Sequence, residues 1–261
     1  MKDRDRQALE TMQQRLAAYS SGQLELGLLI ADLEQLIALL ESVSEQWRDA
    51  FHAQWAVLEV TYAVAIDRNL AIESEMNRAA IAPALAKMRQ MLFELLPIQV
   101  PYSFIRRCTR LTWKEAMHGI EAGFVQIQSA PEIAIDRMQE GDNGDLVVEL
   151  AGSTQEACLF NLASRLAQAE GAAQSIESIR RKWAFLILAW EHEHPSSNRN
   201  PCEVLKKVYE DLGHPAQVEP MLCGRDCAES GECYRRWVEY LQTESAYFAP
   251  PDRGKMGLVA P

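Results

Sequence analysis

The chain has 261 residues, 48% hydrophobic and 24% charged, the values of a folding globular protein rather than of a disordered or fibrous one. Its formal net charge of -11 opposes phosphate backbones and anionic lipid headgroups, so nucleic acid and membrane surfaces are poor partners and a basic protein is a better one. The first ten residues hold no apolar signal core, and the longest apolar run, Ala184 to Trp190, is far short of the roughly 20 residues that span a bilayer, which predicts a cytoplasmic protein.

The first helix is predicted from Asp5 to Tyr19, where Leu9, Met12, Leu16 and Tyr19 recur at helical spacing, with Ser20-Ser21-Gly22 as its stop. Leu26, Leu29, Ile30, Leu33, Leu36, Ile37 and Leu40 make the second, between Leu24 and Leu40, dense enough to pack on two neighbours. Ser44 reads as the N-cap of a third, whose Trp47, Phe51, Trp55, Leu58, Tyr62 and Ile66 share a core face. A fourth, over Glu75 to Leu96, carries Ile81, Leu85, Met88, Leu92 and Leu95; Pro83 either kinks it or marks a later start.

The two prolines of Pro97-Ile98-Gln99-Val100-Pro101 break the periodicity after a segment that reads as a closed four-helix bundle, so the domains are placed at 1–97 and 98–261. Beyond them, Thr112 with Glu115 forms a capping-box pattern for a short helix through Ile120, and Gly123 is placed to end it. Pro131 suits the first turn of a helix over Glu132 to Gln139. Asp145 to Leu150 alone has β character, and with no second strand to pair with it reads as extended chain or the start of a helix.

Ser153 with Glu156 repeats the capping-box pattern ahead of Cys158, Leu159, Leu162, Leu166 and Ala169 as a buried face. Ser175 opens the most hydrophobic helix, Ile176 to about His192, apolar nearly all round from Trp183 and hence the core of the second domain. Val204, Leu205, Val208, Tyr209 and Leu212 predict a helix closed by Gly213 and Pro215, and a last helix spans Glu232 to Tyr247 before a loose Pro/Gly-rich tail at 249–261. The expectation is an all-α fold of two helical-bundle domains joined by a short Pro-flanked linker.

Of the six cysteines, Cys223, Cys227 and Cys233 with His214 are the set most suggestive of zinc. Their spacing does not make two regular knuckles, and ordinary thiols are the preferred reading, with no structural disulfides expected. Glu191-His192-Glu193-His194 holds metal-ligand and general-base side chains, but neighbours on a helix point about 100° apart, and histidines at a helix C-terminus are explained by the macrodipole. No phosphate loop, dinucleotide fingerprint or nucleophile elbow occurs, so no catalytic residue, metal ligand or cofactor is assigned and no enzymatic activity is expected.

The basic groups Arg106, Arg107, Arg110, Lys114 and Arg180-Arg181-Lys182 read as solvated helix faces. Glu132, Asp136 and Glu140 recur at i, i+4 with Asp142 and Asp145 following, and like charges so placed cost a few tenths of a kcal/mol per pair. A basic partner offsets that cost, which makes these five the candidate partner-binding residues, beside the plainer reading of a solubilising surface.

The run Trp47 to Arg68, with Phe51, Trp55, Leu58-Glu59-Val60, Tyr62-Ala63-Val64-Ala65 and Asp67, resembles small helical bacterial proteins found near polymorphic-toxin genes. Pro101-Tyr102, Phe104-Ile105, Leu111-Thr112-Trp113, Trp183, Trp190, Tyr209 and Pro215 resemble an uncharacterised prokaryotic helical family. The resemblance implies an immunity protein of a contact-delivered toxin system, such as type VI secretion, that holds a cognate toxin encoded by a neighbouring gene, with a basic nuclease as one such toxin. A helical adaptor or chaperone is the alternative, and a metal-dependent enzyme using Cys and His the third.

Overall fold

In the computed structural model, which describes residues 3–72, 74–171, 174–195, 200–222 and 230–249, the chain is all-α: twelve α-helices and two short 3-10 segments, with no strand among the described residues. No helix among them is long and apolar enough to cross a membrane. The chain divides into two compact units, Met1–Leu96 and Pro97–Pro261.

The first unit holds α1 (Asp3–Ser20), α2 (Leu26–Leu39), α3 (Glu45–Asp67) and α4 (Glu75–Leu95), each packed on the next, with α4 returning to α1. Leu9, Met12, Leu29, Leu33, Phe51, Leu58, Met88 and Leu92 are fully buried in one core, the inward rows of all four helices. Gly22 takes a left-handed backbone (φ +75°) to turn the chain out of α1, and the Ser44 hydroxyl accepts the Trp47 N–H at 3.1 Å to start α3. Trp55 donates to the Ile30 carbonyl at 3.0 Å, so the third helix is anchored to the second by a polar bond inside an apolar layer.

Asp5 is fully buried and ties the first turn of α1 to the segment between α2 and α3. Its carboxylate accepts the Glu41 N–H at 3.1 Å and the Ser42 N–H at 2.6 Å, together with the Ser42 hydroxyl. Pro83 does not delay the start of α4: the helix runs from Glu75 with the proline inside, on an exposed position where the missing backbone bond falls. Two residues of the expected core face outward. Ile66 is 55% exposed because Ala65 takes the inward place at the last turn of α3, and Leu95 yields likewise to the buried Leu96.

The second unit holds α5 (Tyr102–Cys108), α6 (Trp113–Ala122), α7 (Ala130–Gln139), α8 (Asp145–Ala151), α9 (Glu156–Ala169), α10 (Ile176–Glu193), α11 (Pro201–Asp211) and α12 (Ser230–Phe248). α10 is the centre, touching α5, α6, α11 and α12, with Trp183 to Leu188 all buried. The Trp183 indole lies against Gly119 of α6, where a Cβ would come within 1.9 Å of the ring, and its N–H donates to the Glu115 carbonyl at 2.9 Å.

Several local expectations change in this unit. Asp145–Ala151 is helical because Val147 and Leu150, three apart, bury one face between α7 and α9, and that packing overrides β propensity. The Ser153–Glu156 capping box does not form: Gln155 is the N-cap, with no side-chain bond, and Cys158 is exposed while Leu159 and Leu162 point inward. The Thr112–Glu115 box does form in both directions, and Gly123 ends α6 with a left-handed backbone (φ +80°). The tail at 250–261 lies outside the described residues.

Candidate functional site

α7 and α8, joined by a turn at 140–144, carry the acidic residues that mark the candidate partner surface. They do not form one open face. Glu132 is exposed and has no ion partner among the described residues, but Asp136 is only 8% exposed. It accepts the Tyr102 hydroxyl at 2.8 Å and pairs with Arg106 at 3.4 Å. Burial, and then the bond to this carboxylate, push the Tyr102 phenol far above its ordinary pKa, so it acts as a fixed donor.

Glu140 caps the end of α7 and is paired with Arg110 and, at 4.0 Å, with Arg137. Asp136 therefore belongs to an internal clasp between α5 and α7, whereas Glu140 is exposed but shares its charge with arginine. The reason is α5, whose Tyr102 and Arg106 lie over α7 and draw Asp136 inward. Asp142 accepts the Gly144 N–H at 3.4 Å across the turn, and Asp145 stands in the first turn of α8, where the helix N-terminus favours a negative charge. Exposed and without a cationic partner among the described residues, Glu132, Asp142, Asp145 and Glu149 are what remains of the acidic surface.

Of the basic residues, Arg106, Arg107 and Arg110 are exposed, as expected of solvated faces, and several of the group also hold carboxylates. Arg107 pairs with Glu193 at 2.9 Å, and Arg181 grips Glu244 through two bonds of 2.8 Å. Lys182 donates to Glu115 at 2.7 Å. Glu115, fully buried, also accepts the Thr112 N–H at 2.8 Å and the Gln174 amide at 2.5 Å, so one carboxylate caps α6 and ties it to α10.

At the far end of α10, Glu191 is buried, and with His192, Pro201, Val204, Tyr234 and Trp237 it lines a pocket. Its volume of about 80 Å³ is well below the roughly 300–1,000 Å³ of a site that encloses a drug-sized ligand. His192 shares a 3.2 Å hydrogen bond with the Tyr234 hydroxyl and stacks on its ring, whereas His194 stacks on Trp190 at 3.7 Å between centroids. The two imidazoles are held by different rings and do not converge.

Among the described residues no group of three or more His, Cys, Asp or Glu side chains is arranged to hold a metal ion. Cys223 and Cys227 lie outside the described residues. Cys233 is fully buried and disulfide-bonded, against the expectation of thiols, and a sulfur so bonded offers no thiolate to a metal. His214, in a left-handed backbone (φ +64°), packs on Tyr209.

The residues of the sequence pattern in this unit are structural: Tyr102, Phe104, Ile105, Leu111, Trp113 and Trp183 are all buried. A family model described as "Uncharacterized protein conserved in bacteria (DUF2247)" matches residues 102–245, more than half the chain, from the start of α5 to the last turns of α12. No curated protein and no solved structure matches the chain.

Proposed function

The chain belongs to the family of uncharacterized proteins conserved in bacteria (DUF2247), and from that premise we propose that it is an immunity protein, which binds and neutralises a cognate bacterial toxin by stoichiometric contact. The observation that carries the reading is the charge left over on α7 and α8. Around them Arg106, Arg110 and Arg137 are already engaged with carboxylates, yet Glu132, Asp142, Asp145 and Glu149 stay exposed with no cationic partner among the described residues. A surface whose bases are committed inward presents an unbalanced negative field, which suits a basic cleft such as that of a nuclease.

Such a surface speeds encounter with a basic partner and fixes register more than it supplies affinity. Reversing Glu132, Asp145 and Glu149 to Lys together is expected to slow association with the toxin encoded by the neighbouring gene about tenfold or more at low salt and to flatten its salt dependence. Surface plasmon resonance across a salt series reads both. Protection is tested by co-expression: survival of cells making that toxin only when this chain is present supports neutralisation, and equal killing with and without it rejects the proposal.

A further inference from the structure

The acidic surface of α7 and α8 also carries apolar side chains. The exposed residues of α7 are Glu132, Ile135 and Gln139, at i, i+3 and i+7, and those of α8 are Asp145, Val148 and Glu149, at i, i+3 and i+4. Each set lies along one side of its helix. Ile135 is 44% exposed and Val148 47%. The opposite sides, with Ile133 and Ala134 on α7 and Val147 and Leu150 on α8, are buried, and α9 packs against both helices. Both exposed sides therefore turn away from that packing. Single hydrophobics are ordinary on a surface, but each of these stands within one turn of an exposed carboxylate, and an apolar patch rimmed by charge marks an interaction site.

The charge on the two sides decides what covers them. Neither carries a lysine or arginine, and Glu132, Asp145 and Glu149 have no cationic partner among the described residues. Asp145 and Glu149, four apart on one face, are a like-charge pair that a cation relieves. A second copy of the chain sets carboxylate against carboxylate, and nucleic acid or an anionic membrane sets phosphate there. A basic polypeptide is what fits. Its bases alone leave Ile135 and Val148 uncovered, so the covering element needs an apolar side chain about 5–6 Å from each base. A helix supplies that pair at i, i+3 or i+4, and it packs its ridges onto a surface made of two helices.

We infer that this surface takes an amphipathic helix of the partner, with lysines or arginines against Glu132, Asp145 and Glu149 and an apolar row on Ile135 and Val148. The inference rests on the neutralisation reading for the site and names the element that docks there. Charge draws the partner in, and the two apolar residues hold it.

Two amidated peptides of about five helical turns test it on the full chain, with methyl resonances as the readout. One repeats Lys and Leu at helical spacing, and the other keeps every Lys and puts Gln in place of Leu. The Lys/Leu peptide is expected to move the Ile135 and Val148 methyls saturably and to bind about tenfold more tightly than the Lys/Gln peptide. Ile135→Ser with Val148→Ser should erase that preference, whereas Glu132→Lys with Glu149→Lys should weaken both peptides alike at low salt. Equal affinity of the two peptides for the unsubstituted chain overturns the inference. So do methyl shifts confined to Val57, Val60 and Val64 of α3. The unsubstituted titration decides even where a variant loses its helical circular dichroism. A toxin that kills equally with and without this chain rejects neutralisation and leaves the peptide result standing, so the two failures are told apart.

Discussion

The two units are held together in different ways. The first is an apolar bundle: its buried rows of Leu, Ile, Met and Phe meet across four helices, and the fully buried Asp5 sits at its edge, satisfied by backbone N–H groups. The second places charges between its helices. Glu115 meets Lys182, Glu244 meets Arg181 and Asp136 meets Arg106, each carboxylate less than a tenth exposed. An apolar row tolerates approximate fit, whereas a buried ion pair is costly to leave half made. The first unit should therefore yield gradually to substitution and the second abruptly.

The strongest test is Glu115→Ala. It removes the carboxylate that Lys182 and Gln174 share and the side-chain half of the α6 capping box, leaving Lys182 the Arg110 carbonyl alone, and removing one partner of a buried pair costs about 3–5 kcal/mol. Hydrogen exchange should show the amides of α6 and α10 losing protection while those of α2 and α3 keep theirs. Equal loss in both units would break the contrast. Gly119→Ala follows, at about 1–3 kcal/mol for overpacking, because the new methyl overlaps the Trp183 ring and that indole, fully buried, has nowhere to retreat. A thermal melt that matches the unsubstituted chain would show the α6–α10 contact to be looser than drawn.

A smaller effect comes from acid. Burial, and then Arg180, hold the His118 imidazole below its ordinary value of 6.5, so the unfolded chain binds a proton that the folded one refuses. Its contribution to stability is complete above about pH 6.5 and is lost as pH falls toward the depressed folded value. Between about pH 7.5 and pH 5.5 the second unit should lose stability, and His118→Gln should flatten that slope. A slope unchanged by His118→Gln would assign the acid sensitivity to another group.

The contrast also explains what was legible in advance. Apolar periodicity is a local signal, so the four helices of the first unit could be read nearly to their ends, as could the Ser44 cap, the Thr112–Glu115 box and the Gly123 stop. Charge partners are not local. Arg106 and Asp136 are 30 positions apart and Lys182 and Glu115 are 67 apart, so Arg106 and Lys182 read as solvated charges and neither carboxylate showed its cation. The candidate acidic surface suffered for the same reason: Asp136 was indistinguishable from Glu132 by spacing, and only the seven-residue α5, too short to show a period, turned it inward. Val147 and Val148 gave a strand-like composition to a segment that tertiary packing makes helical.

Glu115 also gives synthesis an order. Its carboxylate leaves the ribosome able to cap its own helix, but Gln174 is 59 residues behind it and Lys182 is 67. At about 5–20 residues per second the lysine follows by roughly 3–13 seconds. The corresponding closure of the first unit, Asp5 onto Ser42, spans 37 positions, and all of α1–α4 has been made before Glu115 exists. The growing chain thus carries a finished bundle ahead of a second unit with an unanswered negative charge, and any factor that holds nascent chains would meet α6 with that charge still exposed.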